Sequence, residues 1–308
     1  MNASAIALPS DITVLERGWL SANNVLFDGA HGTALVDSGY HIHSGQTVDL
    51  VAASLAGKPL DLLVNTHLHS DHCGGNAALQ ARFAALQTRI PPGQWAEVRQ
   101  WNAERLGYVP TGQQCPPFRA DGVLQPGEQI ALGDRIWHIH AAPGHDVHAV
   151  ILFEPEQRIL ISGDALWENG FGVVFPEIEG EPGFGDVGAT LDLIEQLNPG
   201  VVIPGHGSVF TDVPKALEVS RKRLAGFVAG PQRHARHAAK VLLKYKLLEW
   251  QRIAFADALQ WMDDTPYFHM LQERHFADQP FAPWCQLMAD ELIGASAAKR
   301  EGDWLINA

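Results

Sequence analysis

Short apolar runs separated by Gly, Asn and Pro fill the first two thirds of the chain. Each run is a few residues long and is rich in Val, Ile, Leu or Thr, a pattern that predicts β-strands bounded by turns. The predicted strands lie at 12–17, 24–27, 33–37, 61–65, 135–140, 149–153, 158–162 and 201–204.

Apolar residues at helical spacing lie between these runs and then dominate the remainder of the chain. The predicted helices lie at 46–55, 74–83, 187–197, 213–229, 232–249, 252–262 and 283–293, and a closing β-hairpin is predicted between 294 and 306. Residues 91–127 interrupt this rhythm with Pro, Gly and aromatic residues, which indicates an insertion. The pattern predicts an α/β domain over 1–212 and a small helical C-terminal domain over 213–308.

The composition is that of a globular protein, with 46% apolar and 19% charged residues. No run of 18 apolar residues occurs, so no membrane span or membrane partner is predicted. The segment 1–11 lacks the basic and apolar regions of a secretory signal. Three cysteines far apart do not predict a disulfide framework. These features together predict a cytoplasmic protein, and they leave its oligomeric state open.

The net charge of −13 is unevenly distributed along the chain. Residues 1–210 hold 9 Lys/Arg and 23 Asp/Glu, which disfavours a nucleic acid as partner. Between 219 and 248, by contrast, the chain holds eight Lys/Arg and no Asp/Glu. This basic stretch is either a solvated helix face or a clamp for an anionic part of a substrate, such as the phosphates of CoA or RNA.

The densest cluster of chemically active residues follows the predicted strand at 61–65. It comprises His67, His69, Asp71 and His72, with Gly74 and Gly75 directly after them. Imidazole and carboxylate together suit zinc, iron or manganese. Residues two apart on an extended strand end point the same way, so His67 and His69 can share one ion. Asp71 and His72 lie on the turn that follows and can reach a second ion.

Three more candidate ligands each follow a predicted strand and a glycine. They are His145 in Pro-Gly-His, Asp164 in Gly-Asp and His206 in Gly-His-Gly. In a layered α/β enzyme the ends of strands form the active site, so these side chains are expected to join the first cluster.

The ordered set of these motifs resembles the metallo-β-lactamase superfamily, specifically its glyoxalase II-like dinuclear branch. The resemblance covers about residues 12–210 and implies a four-layer αββα sandwich, with the site at one edge between two sheets. The C-terminal part resembles the small helical, winged-helix-like domain that follows some members of this fold.

The resemblance implies a ligand for every metal position of the dinuclear form. His67, His69 and His145 would hold one divalent ion, Asp71, His72 and His206 the other, and Asp164 would bridge both. Zinc is the favoured metal, with iron and manganese as alternatives. A hydroxide shared by the ions would attack a carbonyl, and Asp71 would also orient it and transfer its proton, which makes Asp71 the predicted catalytic residue.

Three further residues are predicted near the ligands. Asp37 matches an acidic position near the family's site and is either a partner of a ligand histidine or a turn cap. His148 is predicted to meet the substrate or a ligand. Trp167 stands where lactonases of this fold have a tyrosine, and an indole donates a hydrogen bond but is no practical acid.

The motifs favour hydrolysis of a small acyl substrate, most of all a thioester or another ester. Trp95, Trp101, Tyr108 and Phe118 of the insertion either line an apolar mouth or cover a core. Glyoxalase II enzymes have Glu-Tyr where this chain has Gly207-Ser208, which argues against a strict hydroxyacylglutathione hydrolase. The alternatives are an RNase-like phosphodiesterase, a lactonase or β-lactamase-like hydrolase, and a non-catalytic metal-binding protein.

Overall fold

Two β-sheets packed face to face form the centre of the structure, a computed structural model that describes residues 6–308. The first sheet has six strands in chain order: β1 (Ile12–Leu15), β2 (Asn24–Gly29), β3 (Gly32–Val36), β4 (Leu62–Val64), β5 (Gln87–Ile90) and β6 (Gly122–Val123). The second has the order β11-β10-β9-β8-β7, made by β7 (Gln129–Leu132), β8 (Arg135–Ala141), β9 (Val150–Glu154), β10 (Ile159–Gly163) and β11 (Val201–Pro204). The first five residues of the predicted catalytic domain, and part of the segment 1–11, lie outside the described residues.

Helices cover the outer faces of the two sheets. In the first two thirds of the chain they are α1 (Ser44–Leu55), α2 (Ser70–Cys73), α3 (Asn76–Arg82), α4 (Trp95–Gln100), α5 (Phe175–Glu179) and α6 (Phe184–Leu197). The rest of the chain forms α7 (Val213–Ala229), α8 (Pro231–Trp250), α9 (Phe255–Asp264), α10 (Pro266–His275) and α11 (Phe281–Gly294), with a small sheet of β12 (Arg252–Ala254), β13 (Ala298–Glu301) and β14 (Trp304–Asn307).

Side-chain alternation along the strands explains the layers. On β3, Ala34 and Val36 point between the sheets toward Trp137, whereas Leu35 points outward and packs against α1. The second sheet does the same, since Leu152 faces the first sheet and Ile151 faces α6. Because successive side chains of a strand point to opposite faces, each sheet buries both of its faces. The predicted αββα sandwich is therefore confirmed.

The structure corrects several predicted elements. The helix predicted at 74–83 is α3, which begins two residues later because Gly74 and Gly75 form the turn after α2. A Cβ on Gly75 would lie 2.4 Å from the Ser38 carbonyl oxygen, so this turn requires glycine. The helix predicted at 252–262 begins as strand β12, since Arg252–Ala254 pairs with β14, a distant partner that local pattern does not reveal. Strand β7 and helix α10 were not predicted, although Pro266 in the first turn of α10 is a helix-start signal.

The insertion and the C-terminal helices pack onto the sandwich. Tyr108 and Phe118 of the insertion share a core with Leu68, and the insertion also supplies strand β6. Helices α8 to α11 bury Trp284 in a core that includes Val173 from the catalytic part. Because the two parts share this core, the domain division at 212 stays a prediction. No helix among the described residues has the length and apolar character to cross a membrane.

One buried histidine in α8 should make stability depend on pH. Burial lowers the pKa of His234 from 6.5 to about 3, and its Nε2 accepts a hydrogen bond from the Val174 N–H at 3.0 Å. The unfolded chain therefore takes up this proton near pH 6.5, whereas the folded chain does so only near pH 3, so stability is lost as the pH falls through that window. His234→Gln keeps an acceptor without titrating. Between pH 7 and about pH 4.5 it should lose roughly 2 kcal/mol less unfolding free energy than the wild type.

Urea unfolding of both proteins at several pH values measures this difference. His31→Gln, in the exposed turn between β2 and β3, is the control. Equal acid sensitivity of the wild type and His234→Gln would contradict the prediction.

Candidate metal centre

Seven histidine and aspartate side chains meet at one edge of the sandwich. His67 and His69 follow β4, Asp71 and His72 lie on α2, and the others follow the ends of strands β8, β10 and β11. They form two groups, each with its candidate ligand atoms within 4.8 Å of one another: His67, His69 and His145, and Asp71, His72, Asp164 and His206. The structure thus brings together all the ligands that the sequence predicted.

The first group is made of three imidazoles. His69 Nδ1 lies 2.7 Å from His145 Nε2 and 3.1 Å from His67 Nε2. The opposite nitrogen of His145, Nδ1, donates to the Val173 carbonyl oxygen at 2.6 Å. A carbonyl only accepts, so Nδ1 carries the proton and Nε2 of a neutral ring turns its lone pair toward the other imidazoles. This convergence fits a cation bound among the three rings.

The second group mixes imidazole and carboxylate. His206 Nε2 lies 3.0 Å from Asp71 Oδ2, and His72 Nε2 lies 3.3 Å from Asp164 Oδ1. His72 Nε2 is buried and makes no hydrogen bond with the described residues. A buried polar atom is rarely left without a partner, so this nitrogen also fits a metal ion.

Asp164 lies between the two groups. Its Oδ2 is 3.5 Å from His145 Nε2 in the first group and 3.8 Å from His206 Nε2 in the second. Its other oxygen faces His72. This carboxylate can therefore contact ions in both groups at once.

Burial and neighbouring charges shift the pKa values of the histidines in opposite directions in the two groups. Burial, and then the neighbouring imidazoles, lower the pKa of His67 well below its ordinary value and that of His69 to about 4. Burial acts in the same direction on His72, but Asp164, Asp37 and Asp71 outweigh it and raise the pKa of that imidazole well above its usual value. The pKa of Asp164 is held well below the usual range because His72 and His206 outweigh the effect of its burial. The neutral imidazoles of the first group and the carboxylates of the second are forms that bind metal, whereas an ion in the second group would have to displace the proton that the carboxylates favour on His72.

Asp37 forms a hydrogen bond with the His72 ring nitrogen that faces away from the second group, as one of the two interpretations of the sequence predicted. Its Oδ2 accepts hydrogen bonds from His72 Nδ1 and from the Thr66 hydroxyl, both at 2.8 Å, and its Oδ1 accepts one from the Thr66 N–H at 2.9 Å. Asp37 has φ 58°, a left-handed conformation that costs a non-glycine residue free energy. These contacts keep the His72 ring oriented toward the second group.

Gly205 lets the chain pass close to the second group. A Cβ at this position would lie 2.3 Å from Asp164 Oδ1 and 2.8 Å from His72 Cε1. The turn is held by Asn23, whose side chain donates to the Pro204 and Gly207 carbonyl oxygens. Glycine is therefore required here for space beside the candidate ligands.

Aromatic side chains surround a cavity of about 100 Å³ over the two groups. Trp167 donates from Nε1 to Asp164 Oδ1 at 3.2 Å. Trp19 is stacked on His206 with its ring centroid 5.4 Å away, and it is 58% exposed. Phe175 lies 4.6 Å from His69, centroid to centroid. Trp19 and Phe175 were not predicted, because nothing in their local sequence marks them as neighbours of the motifs.

The aromatic residues of the insertion mainly cover a hydrophobic core and do not line one common cavity over the ligand groups. Tyr108 and Phe118 are buried in a core, with Trp101 packed against it. Of these only Tyr108 also reaches a cavity of about 310 Å³ beside His69. His148 lines that same cavity rather than the space over the two groups, and its substrate role stays a prediction.

Several cations of the basic stretch in α7 and α8 form ion pairs with nearby carboxylates. Arg221 pairs with Asp192 and Glu195, and Lys240 pairs with Glu291, as Arg236 does. Much of the stretch is thus a partnered helix face, and exposed pairs of this kind contribute little free energy.

Comparison with known proteins indicates the same family over most of the chain. The family model of the metallo-beta-lactamase superfamily matches residues 17–206. Acyl-coenzyme A thioesterase MBLAC2 of Gallus gallus is 28% identical over 64% of this chain and 77% of its own. A hydroxyacylglutathione hydrolase of Acidiphilium cryptum is 30% identical over 70% of this chain and 82% of its own.

A solved structure extends the likeness in fold to the C-terminal helices. A metallo-beta-lactamase family protein of Thermus thermophilus superposes with a TM-score of 0.59 over 98% of this chain and 100% of its own, at 19% identity. Because the family model matches most of the chain and the histidines and aspartates form two adjoining groups, this chain belongs to the metallo-beta-lactamase superfamily. It is a metal-dependent hydrolase of that superfamily.

Proposed function

We propose that this protein is a thioesterase that hydrolyses acyl thioesters at two zinc ions, releasing a carboxylic acid and a thiol. The observation that carries the proposal is the meeting of two candidate ligand groups at Asp164, beneath a cavity walled by aromatic residues. A location in the cytoplasm is part of the proposal, and it rests on the sequence, whose three cysteines do not predict a disulfide framework.

The proposed ligand sets follow the two groups. His67, His69 and His145 would hold one ion, and Asp71, His72 and His206 would hold the other, with Asp164 available to both. Zinc suits a site of imidazoles and carboxylates, and iron or manganese would accept the same donors. When bound, such a pair of ions supplies Lewis acidity and lowers the pKa of water toward neutrality.

The protein's own residues orient the reaction. Asp71 is the proposed catalytic residue, because its side chain is 14% exposed while those of His72, Asp164 and His206 are 6% exposed or less. Its carboxylate is thus the one member of the second group open enough to accept a proton from an attacking water. Trp19 and Trp167 shield the same space from bulk water and offer apolar surface to an acyl group.

The surroundings of the site support a thioester over the other substrates. Both curated relatives described above are named as hydrolases of thioesters or acylated glutathione. Trp167 has no acidic hydroxyl of the kind that lactonases use, and its indole is tied to Asp164. Gly207 and Ser208 replace the pair expected in a strict hydroxyacylglutathione hydrolase, so we propose a different thiol carrier.

A substrate panel at fixed metal loading tests the proposed reaction. Octanoyl-CoA, S-lactoylglutathione, an acyl homoserine lactone, nitrocefin and a bis-nitrophenyl phosphate represent the competing classes. We expect kcat/KM for the thioesters to exceed that for the other substrates by at least about tenfold. A preference for the phosphodiester or the lactone would refute the thioesterase assignment.

The number of bound metals should be close to two per chain, because both groups have a complete donor set. Metal analysis of gently purified protein, and of protein reconstituted with zinc, measures it. A stoichiometry that never exceeds one after reconstitution would contradict the dinuclear proposal. His31→Ala, away from the site, should leave the metal content unchanged.

A further inference from the structure

A second cavity, of about 600 Å³, opens beside the metal centre. It shares Trp19, Trp167, Val173, Val241 and Tyr245 with the space over the two ligand groups. Its volume is typical of a small-molecule pocket. A substrate held at the metal centre can therefore extend one arm into this cavity, between the two tryptophans and helices α7 and α8.

The cavity combines apolar walls with cationic side chains. Phe171, Val241, Leu248 and Leu292 contribute apolar surface, and Arg223, His237, Lys240 and Lys244 are also part of the lining. Apolar walls fit a hydrocarbon arm, whereas cations among them suit a negative group on that arm.

Arg223 is the cation of the lining that has neither a carboxylate partner nor acceptors for most of its donors. Lys240 pairs with Glu291 at 2.9 Å. Lys244 has no carboxylate side chain as partner either, but its Nζ donates to the Ala297 carbonyl oxygen at 2.7 Å, to Asn307 and to the Ala308 oxygen, which uses all three of its donors. Arg223 Nη1 donates only to the Phe171 carbonyl oxygen, at 3.3 Å, and within residues 6–308 no carboxylate lies within 4.0 Å of it. Burial lowers the pKa of Arg223, but a guanidinium stays protonated in proteins.

The neighbouring His237 does not add a second free cation. Burial and the charge of Arg223 lower its pKa to about 4, so it is neutral near pH 7. A partly buried guanidinium without a counter-ion is costly, and an anionic ligand would offset that cost.

The loop from Trp167 to Gly170 lies between Arg223 and the metal centre and contacts both. A Cβ on Gly170 would lie 2.4 Å from Arg223 Nη1, so the loop passes directly against the guanidinium. The same loop positions Trp167, whose N–H donates to the Gly170 carbonyl oxygen at 2.6 Å and whose indole donates to Asp164. Arg223 and the metal centre thus contact opposite ends of one short segment.

We propose that this cavity binds the acyl arm of the substrate and that Arg223 binds a carboxylate at its far end, so that the preferred substrates are ω-carboxyacyl thioesters. The inference rests on the proposed thioesterase function and narrows its substrate class. One guanidinium with unused donors among apolar walls matches a hydrocarbon arm with a single carboxylate. The several phosphates of a CoA carrier would need several such cations, and within the described lining Arg223 is the one cation that lacks both a carboxylate partner and acceptors for its donors.

The test compares thioesters that differ only in the far end of the acyl arm. Octanedioyl and octanoyl thioesters of N-acetylcysteamine share a neutral carrier, and octanoyl-CoA places the negative charge on the carrier instead. Arg223→Gln should raise KM for the octanedioyl thioester by about 10- to 100-fold with kcat nearly intact. KM for octanoyl-N-acetylcysteamine and for octanoyl-CoA should stay within about twofold. Arg223→Lys should recover part of the loss, since it restores the charge without the planar fork.

The matched control is Arg221→Gln, which removes the same charge from the same helix. Arg221 pairs with Asp192 and Glu195 outside the cavity, so its loss should leave all three substrates unaffected. Equal losses on all three substrates with Arg223→Gln would assign the residue a structural role and overturn the proposal. A selective loss on octanoyl-CoA would assign the cation to the carrier, which also overturns it.

Binding without catalysis separates this inference from the proposed function. A thioether analogue of the octanedioyl substrate cannot be hydrolysed, and its Kd can be measured by calorimetry for the wild type and Arg223→Gln. If the wild type cleaves none of the thioesters but binds this analogue through Arg223, the thioesterase proposal fails and the cavity assignment stands. If octanoyl thioesters are cleaved and the analogue binds both proteins equally, the cavity assignment alone fails.

Discussion

Asp164→Ala should reduce kcat/KM by at least about 1000-fold, because the proposed ions would lose the one carboxylate that reaches both ligand groups. Polarisation by a metal ion lowers the activation barrier by several kcal/mol, and each 1.4 kcal/mol is worth about tenfold in rate. The variant should also bind fewer than two ions per chain. Steady-state kinetics and metal analysis on the same samples measure both effects.

Two further variants make this experiment specific. Asp164→Asn keeps the shape of the side chain but loses the charge, so it should lose most of the activity as well. Asp278→Ala removes an exposed aspartate far along the sequence and should leave rate and metal content unchanged. Near wild-type turnover by Asp164→Ala would show that this residue is not the shared ligand.

Gly205→Ala should lower kcat by about 100-fold without unfolding the protein. The new Cβ would lie 2.3 Å from Asp164 Oδ1 and 2.8 Å from His72 Cε1, so one or both side chains must move by about 1 Å. A misplacement of that size in a catalytic site typically costs about 100-fold in rate. The backbone of Gly205 is not left-handed, so the loss would come from the contact with the ligands rather than from backbone strain.

Gly226→Ala is the matched control for this substitution. It lies within α7, and a Cβ there has no atom within 4 Å. Its activity should equal that of the wild type, and both variants should keep a Tm close to the wild-type value. A fully active Gly205→Ala would mean that the candidate ligands tolerate displacement, which contradicts the tight geometry described above.

Many of the correct expectations came from features that are local in sequence. The cluster from His67 to His72 signals a metal site because it concentrates donors within a few residues after a strand. The short apolar runs of β3, β9 and β10 predicted strands correctly, because Val, Ile and Leu between turn residues are a local signal for that conformation. The same locality explains the failures at β12, whose partner strand lies about fifty residues further along the chain.

The sequence by itself indicated the superfamily, because its ordered motifs are residue types at short spacing, and the resemblance they carry implied the two-sheet sandwich and the seven candidate ligands. Only the tertiary structure decided that Asp37 forms a hydrogen bond with His72, that Trp19 and Phe175 border the centre, and that Arg223 lines the neighbouring cavity with most of its donors unused. These relations join residues that are distant in the chain. The physical reason is that burial, charge balance and close approach are set by packing between elements, and local patterns contain no information about which elements will meet.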